Sequence, residues 1–322
     1  SHECRRALCA MPPGGRVRTA TPLRARRAGS GPVLLFNGRA RFNRSTAASP
    51  CRRVRRLWFN TRVLAESGRD RMEYRELVLY GVYTDLRTEV ARRFLGFAWW
   101  ILEPVMYMAV FYAVFGLGLR QGGPDYVPFL LTGMVAWKWF DGSVRQASNS
   151  ILANTSLIQQ IFVPKYVFGL IQILTNTFKF LLVLLLLLGF LVITGRRPSL
   201  EWFGLLPVLL VQFLLIVSLG LLLGAVIPFM HDLKMLVDNA LMLMMFMSGI
   251  FFDAKSLSGA ASTLFRLNPM VPLIEAHRAV LLHNAWPHWG ELGYVVLVSL
   301  PMLAGALLLL RYFERQYPKL IY

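Results

Sequence analysis

The sequence lacks the motifs that most often identify an enzyme. It contains no Gly-x-x-x-x-Gly-Lys-Ser/Thr, which excludes a Walker-type nucleotide-binding loop on this chain. Its five histidines are scattered, and the spacing of His283 and His288 is not one helical turn. No acidic residue or cysteine joins them at a metal-ligand spacing. The sequence therefore predicts no catalytic residues, no metal site and no cofactor on this chain.

Cysteine and lysine are both distributed unevenly. All three cysteines precede Met72, so residues 72–322 give no indication of a redox compartment. Residues 1–71 contain 17 Arg, no Lys and 3 acidic residues, a net charge of +14, and the remaining residues carry only +4 of the total +18. This stretch has no helical or strand period, no apolar core of a secretory signal and no nucleic-acid-binding motif. We interpret residues 1–71 as a disordered or non-native N-terminal extension, with a basic tail on anionic lipid as the alternative.

Long apolar runs dominate the sequence from Phe97 onward. The hydrophobic fraction is 56% and the mean hydropathy is +0.49, whereas a soluble domain is about 45–50% apolar. A helix needs roughly 20 apolar residues to cross the hydrocarbon core of a bilayer. Residues 97–322 are therefore predicted to form an all-α, polytopic membrane domain with six transmembrane helices. The second run reaches the required length only if residues 141–150 continue its helix. The runs cover residues 97–119, 127–140, 168–193, 203–229, 235–252 and 292–310.

Residues 72–96 are predicted to form an amphipathic helix that lies in the membrane interface. Its apolar residues recur every three to four positions, and a helix packed on a protein partner is the alternative. Arg87, Arg92 and Arg93 precede the first run, so the positive-inside rule places the N-terminus in the cytoplasm. Six spans then return the C-terminus to the same side. Arg196 and Arg197, in a predicted outer turn, conflict mildly with this topology.

The outer segment, residues 254–290, is long but only half polar. It contains Pro269, Pro272 and Pro287 with short apolar patches between them. We expect one or two short re-entrant helices here, because irregular backbone is tolerated within a membrane where protein buries it. An ordinary extracellular loop is the alternative.

Polar residues inside the apolar runs are the first candidates for function, because a charge at the bilayer centre is costly. Gln172, Asn176 and Lys179 form one stripe of a helix, which fits hydrogen bonding between helices as well as a substrate path. Lys138 either reaches the interface or faces an aqueous channel.

Aromatic residues crowd the first two runs. The interfacial aromatic belt accounts for those near the ends, but Tyr107, Phe111 and Tyr112 lie deeper. Aromatic rings stack on the C–H faces of sugars, and ordinary packing is the alternative at any single position. The predicted channel lining is Trp99, Tyr107, Phe111, Tyr112, Trp137 and Lys138.

Several motifs follow one another in a recognisable order. An interfacial helix leads through Arg92-Arg93-Phe94-Leu95-Gly96-Phe97-Ala98-Trp99 into Leu102-Glu103-Pro104. Gly133 and Trp137 follow in the second span, and His231-Asp232-Leu233 occupies an inner loop. The remaining motif residues are Asn154, Leu157-Ile158, Phe162-Val163-Pro164, Asn268-Pro269, Glu275 and Arg278. This order resembles that of the membrane subunit of ABC-2 type polysaccharide exporters, although that family often has Arg-Asp where this chain has His231-Asp232.

The resemblance implies a mechanism. Two copies of this chain would form a channel in the bacterial inner membrane, and two copies of a separate ATPase would bind ATP and Mg²⁺ below it. A lipid-linked polysaccharide of the O-antigen or capsule type would pass between the permeases. The implied ATPase-coupling residues are Asn154, Leu157, Ile158, Phe162, Pro164, His231 and Asp232. The implied outer gate contains Asn268, Pro269, Glu275 and Arg278.

Three alternatives remain at this point. The first is an ABC-2 exporter of a small lipophile or drug. The second is a stand-alone channel or secondary transporter, although that class tends to show broken helices in paired halves. The third is a membrane glycosyltransferase, which is disfavoured because no acidic pair lies at a membrane-edge loop.

Overall fold

The computed structural model describes residues 74–314 except 93, 95, 97, 115–124, 161–162, 197, 231, 252–264 and 266. The described part is helical. Two short 3₁₀ helices, Leu200–Gly204 and Ile227–Phe229, flank one of the long helices. The α-helices are α1 (Tyr74–Arg92), α2 (Ala98–Phe111), α3 (Tyr126–Ala153), α4 (Thr155–Gln160), α5 (Tyr166–Ile193), α6 (Leu205–Val226), α7 (Leu233–Phe246), α8 (Met270–Leu282) and α9 (Trp289–Tyr312).

Helix α3 runs without interruption through the polar end of the second apolar run. The helix therefore continues over residues 141–150, which is the condition under which the second run reaches the length of a span. Its small residues Ser143, Ala147 and Ser150 are buried, and they allow neighbouring helices to approach closely. Helix α3 packs against α5, α6, α7 and α8, and it is the centre of the bundle.

The contacts between helices show the direction of the chain. Helix α5 is antiparallel to α3, because Trp139 stacks on Phe180 whereas Gln146 bonds Asn176. Helix α6 is parallel to α3. Helix α9 runs in the same direction as α6, because the first halves of α6 and α9 share one apolar cluster and their second halves share another, which we call the inner apolar cluster. The segment between α6 and α9 must therefore return to the starting end of α6. We call the end that contains α4 the inner end and the opposite one the outer end.

Helices α7 and α8 together make this return. At 1.5 Å per residue, each is about 20 Å long, which is too short to cross the hydrocarbon core alone. Asn268 joins them by donating its Nδ2 hydrogen to the backbone oxygen of Met247. Helix α8 is buried among α3, α6 and α9 and is not an exposed loop. Residues 252–264 of the outer segment lie outside the described residues.

The all-α membrane architecture is confirmed, and the count of six spans stays a prediction. Three helical segments in the described part are long and apolar enough to cross a membrane: Tyr166–Ile193, Leu200–Phe229 and Trp289–Tyr312. Helix α3 has the length but carries Lys138, Asp141 and Arg145. The region of α2 is apolar but shorter.

Helix α1 packs alongside the first half of α5. A Cβ atom at Gly81 would lie 2.5 Å from Cδ1 of Ile171, so the two helices approach closely at this point. Further along, Gln172 donates a hydrogen bond of 2.7 Å to Asp85. Burial raises the pKa of Asp85, an effect that this hydrogen bond and the charge of Lys179 oppose. The chain's own α5 thus partners one side of α1, and its position in the membrane interface stays a prediction.

A close contact between α3 and α6 in the core yields a stability prediction. A Cβ atom at Gly220 would lie 2.9 Å from the Cβ atom of Ala147. We expect Gly220→Leu to destabilise the purified protein by about 1–3 kcal/mol, because overpacking forces helices apart. Thermal unfolding in detergent measures this. The matched control is Gly189→Leu, since a Cβ at Gly189 meets nothing within 4 Å; equal melting temperatures for the two variants would contradict the prediction.

Candidate functional site

An elongated cavity lies between α2, α3 and α5, with Glu89 of α1 at its inner end. Its volume is about 370 Å³. Leu131 and Gln146 both line it, and they are about 22 Å apart along α3 at 1.5 Å per residue. The lining residues are Glu89, Trp100, Glu103, Pro104, Tyr107, Leu131, Met134, Val135, Lys138, Trp139, Asp141, Gly142, Gln146, Asn176, Lys179, Phe180 and Val183.

Two lysines face this cavity, and each contacts a side chain of another helix. Lys138 Nζ lies 4.9 Å from the ring centroid of Tyr107, in a cation–π arrangement that joins α3 to α2. Lys179 Nζ lies 2.6 Å from Glu89 Oε2, an ion pair that is about four-fifths buried on both sides. These two contacts hold α1 and α2 against the central helices.

The polar stripe on α5 takes part both in hydrogen bonding between helices and in the lining of the cavity, the two roles that the sequence left open. Asn176 donates to Gln146 Oε1 at 2.9 Å, and Lys179 pairs with Glu89, so both residues bond other helices. Both also line the cavity. Gln172 bonds Asp85 but does not belong to the lining.

A charge cluster beside the inner end of the cavity was missed by the sequence analysis. Arg145 Nε donates to Asp141 Oδ1 at 2.7 Å on the same helix, and its Nη1 donates to Asp238 Oδ1 of α7 at 2.5 Å. The Nη2 group also donates to the backbone oxygen of Asp238. The sequence did contain a sign of this cluster. Asp141 directly follows one apolar run, Arg145 comes one helical turn later, and Asp238 lies within another run. This cluster attaches the start of α7 to α3.

Aromatic side chains form one wall of the cavity. Trp139 stacks on Phe180 with a centroid distance of 4.1 Å and an interplanar angle of 8°, and its Nε1 donates to Thr177. Trp100 lies edge-on to Phe178 at 6.4 Å. On α2, Pro104 has no N–H for the carbonyl four residues earlier, which weakens the helix at the turn that faces the cavity. The site thus combines fixed rings on α5 and α3 with a less constrained helix opposite them.

The predicted channel residues do not all lie at this cavity. Tyr107 and Lys138 line it. Trp137 is 2% exposed and packs in the core against Phe140, whereas the neighbouring Trp139, which was not predicted, contributes to the lining. Trp99 and Tyr112 are outside the lining. Phe111 ends α2, but its side chain lies outside the described residues.

The predicted coupling segment forms a short helix at the inner end. Asn154 separates α3 from α4 and donates its Nδ2 hydrogen to the Ser150 backbone oxygen. Within α4, Ile158 is buried against the inner apolar cluster, whereas Leu157 is 42% exposed. Pro164 follows in an extended stretch, and its oxygen accepts the Val167 N–H. One side of α4 is therefore anchored and the other is open.

The second inner loop is only partly described. Asp232 is exposed and stands at the start of α7, where its backbone oxygen accepts from Met235 and Leu236. His231 and Phe162 both lie outside the described residues. Their assignment to coupling stays a prediction.

Arg278 anchors α8 inside the bundle. The residue is 4% exposed, and its guanidinium group donates to the backbone oxygens of Phe129, Gly249 and Ile250 at 2.8–3.2 Å. Its Cζ atom also lies 3.4 Å from the ring centroid of Phe129. Gly249 has a positive φ of 72°, a conformation that ends α7 and presents its carbonyl to the arginine. A Cβ at Gly133 would lie 2.8 Å from Nη2, so the absence of a side chain there makes room for Arg278.

The other residues of the implied outer gate occupy the same helix or its start. Asn268 Oδ1 accepts the backbone N–H of Met270 at 3.0 Å, and Pro269 immediately precedes α8. Glu275 lies one turn before Arg278 and is half-buried. The assignment of these residues to a gate stays a prediction.

Comparison with known proteins identifies the family. Residues 83–282, more than half of the chain, match the ABC-2 type transporter family. The chain is 28% identical over 242 residues to the O-antigen export system permease protein RfbA of Myxococcus xanthus, covering 74% of this chain and 92% of that protein. It is 26% identical over 201 residues to RfbA of Klebsiella pneumoniae, covering 62% and 78%. It is 24% identical over 232 residues to the polysialic acid transport protein KpsM of Escherichia coli, covering 70% and 89%. These matches confirm the resemblance that the motifs indicated, and the chain belongs to the ABC-2 type transporter family.

Proposed function

We propose that this chain is the channel-forming subunit of an ATP-driven exporter that moves a lipid-linked polysaccharide across the bacterial inner membrane. In this proposal the passage lies between two copies of the chain, and the elongated cavity between α2, α3 and α5 is the part that each copy contributes to it. This cavity is the observation that carries the proposal. Its aromatic rings match the C–H faces of sugars, and its amide and carboxylate oxygens accept hydrogen bonds from hydroxyl groups. Relatives named as O-antigen and polysialic acid transporters support the same substrate class.

The cavity disfavours a small lipophile or drug as the substrate. A site for such a ligand is mostly apolar with few polar groups. Most of the surface of this cavity is apolar as well, but its lining also includes five carboxylates or lysines in addition to Gln146 and Asn176, which is more than a lipophile needs. A lipophile would have to remove water from these groups without replacing their hydrogen bonds.

The remaining parts of the proposed machine are separate chains or copies. A separate ATPase binds ATP and Mg²⁺, and two copies of it engage two copies of this permease. One face of α2 supports a contact between copies, because Ile101, Val105, Met106 and Val110 are all exposed there. Both termini lie in the cytoplasm in this proposal, which places α4 on the side of the ATPase.

Coupling in this proposal begins at α4. Its exposed Leu157 enters a cleft of the ATPase, and the buried Ile158 transmits the movement to the inner apolar cluster. Because α4 follows α3 directly, a displacement of α4 changes the wall of the cavity. The Arg145–Asp238 pair carries the same displacement to α7.

The first test concerns Tyr107 in the cavity. In a strain that lacks the chromosomal copy of this gene, we expect Tyr107→Ala to lower the surface-to-total ratio of polymer about two- to tenfold, since an aromatic contact contributes roughly 0.5–1.5 kcal/mol. Tyr107→Phe is the matched control, because it keeps the ring beside Lys138, and it should export nearly normally. The strain without this gene should retain lipid-linked polymer inside the cell. Normal surface polymer in that strain would contradict the proposed function.

The second test concerns the open side of α4. We expect Leu157→Glu to abolish substrate-stimulated ATP hydrolysis and to reduce co-purification of the ATPase, because a carboxylate cannot enter an apolar cleft without loss of hydration. Membrane insertion should be unchanged. Leu200→Glu is the control, since Leu200 is 77% exposed at the opposite end of the bundle. If Leu157→Glu hydrolyses ATP and exports like the wild type, α4 is not the coupling element.

The third test concerns the proposed outer gate around Arg278. Replacement by alanine leaves three buried carbonyls without their donor, at a cost of about 1–3 kcal/mol for each unsatisfied group. We expect Arg278→Ala to loosen α8 and to let small fluorescent solutes leak from vesicles that contain the transporter. Arg278→Lys should leak as well, because one ammonium group cannot reproduce the planar set of donors. Arg311→Ala, an exposed arginine at the inner end, is the control. If vesicles with either Arg278 variant retain the solutes, α8 has a structural role and does not act as a gate.

A further inference from the structure

The charges around the cavity nearly cancel, and this balance bears on the kind of glycan that fits. Among the residues that the structure describes, Glu89, Glu103 and Asp141 line the cavity against two lysines. Arg145 stands behind Asp141 at 2.7 Å and offsets it. Asp238 then shares Arg145, so the local sum is zero or slightly negative and never positive.

The two lysines differ in how they could meet an incoming anion. Lys179 is held by Glu89 at 2.6 Å, and an anion would have to displace that carboxylate. Lys138 is exposed and stands over the Tyr107 ring, but it shares the cavity with Glu103 and Asp141. Carboxylates repel one another strongly in a site that is partly shielded from water. An acidic sugar in this cavity would therefore find one lysine and meet the repulsion of the two carboxylates that share its site.

The polar groups that remain suit hydroxyl groups instead. Carboxylate and amide oxygens of Glu103, Gln146 and Asn176 accept hydrogen bonds from hydroxyls. The Tyr107 ring is 42% exposed and presents flat apolar surface to the cavity, whereas Trp139 is buried and its ring is stacked on Phe180. The volume of about 370 Å³, spread over a length of about 22 Å, suits a narrow linear segment.

We propose that the cavity accepts an uncharged stretch of the glycan and discriminates against acidic sugar residues. The inference rests on the proposed function and narrows its substrate class. It separates this chain from its relative that is named for polysialic acid, which is a polymer of acidic sugars.

The test measures export of two polymers by the same transporter. Cells that lack their own permease produce either a neutral lipid-linked glycan or polysialic acid on a lipid carrier, together with this chain and its ATPase. We expect the surface-to-total ratio to be at least about tenfold higher for the neutral polymer, as the repulsion of one like charge in a half-buried site suggests. Equal or better export of polysialic acid would overturn the inference. Failure to export either polymer would overturn the proposed function itself.

Charge variants separate the cavity from other sources of selectivity. Glu103→Lys shifts the cavity charge by two units and should raise export of polysialic acid relative to the neutral polymer about tenfold. Glu103→Gln should act in the same direction with a smaller effect, so the test remains if the lysine variant fails to insert. Glu291→Lys makes the same change at an exposed site on α9 and should leave the ratio unchanged. An unchanged ratio in both Glu103 variants would show that the cavity does not select by charge.

Discussion

A polar group buried in this bundle must find its partner inside the protein, because lipid and apolar core offer none. Helix α3 supplies a partner to each neighbouring helix. Gln212 of α6 donates to the Ala136 backbone oxygen of α3, and Asn176 of α5 donates to Gln146. Asp238 of α7 accepts from Arg145, while Arg278 of α8 donates to the Phe129 oxygen. Apolar packing brings these helices together, but the polar contacts fix which turn faces which.

These contacts differ in how easily they are broken. Gln212 and Arg278 are almost fully buried. The loss of a partner there leaves a buried polar group without its hydrogen bond, and for a buried charge this costs about 3–5 kcal/mol. Asp238 and Arg145 are 42% and 33% exposed, and an exposed ion pair contributes only about 0–1 kcal/mol. Water can replace the second kind of contact during a movement.

The distribution of strong and weak contacts separates a fixed part from a movable part. Helices α3, α5, α6, α8 and α9 share buried core and buried hydrogen bonds. Helix α2 contacts α3 and α5 only sparsely, and Lys138 reaches it across the cavity. Helix α7 combines the partly exposed Arg145 pair with two core side chains, Val237 and Leu241, so it is held more firmly than α2. A cavity whose wall is formed by α2 can therefore widen while the central helices keep their positions.

The sequence predicted the helices better than the partners. For α3 the apolar run predicted only the first half, because the second half is polar and continues the helix where small residues such as Ser143 and Ala147 are buried in protein. The sequence did not show that the segment after α6 crosses as two short helices, since that depends on the contact of Asn268 with Met247. It also did not distinguish Trp137 from Trp139. Residues two apart on a helix differ in direction by about 200°, and only the packing of α5 and α6 decides which of the two meets the core.

A passage for a polymer must bind each unit weakly enough to release it. Conduction in channels follows the same requirement, since a site that holds its ligand too well blocks the path. The cavity meets it in two ways. The half-exposed Tyr107 ring offers apolar surface without a fixed hydroxyl pattern, so successive sugars can move past it, while Trp139 and Phe180 are buried against each other. Lys179 pairs with Glu89, Lys138 contacts Tyr107, and Asp141 pairs with Arg145. The cavity therefore offers hydrogen-bond acceptors but little net charge that would hold a ligand tightly. A smooth polar groove beside a movable helix is therefore a better path for a neutral chain than a site built to recognise one sugar.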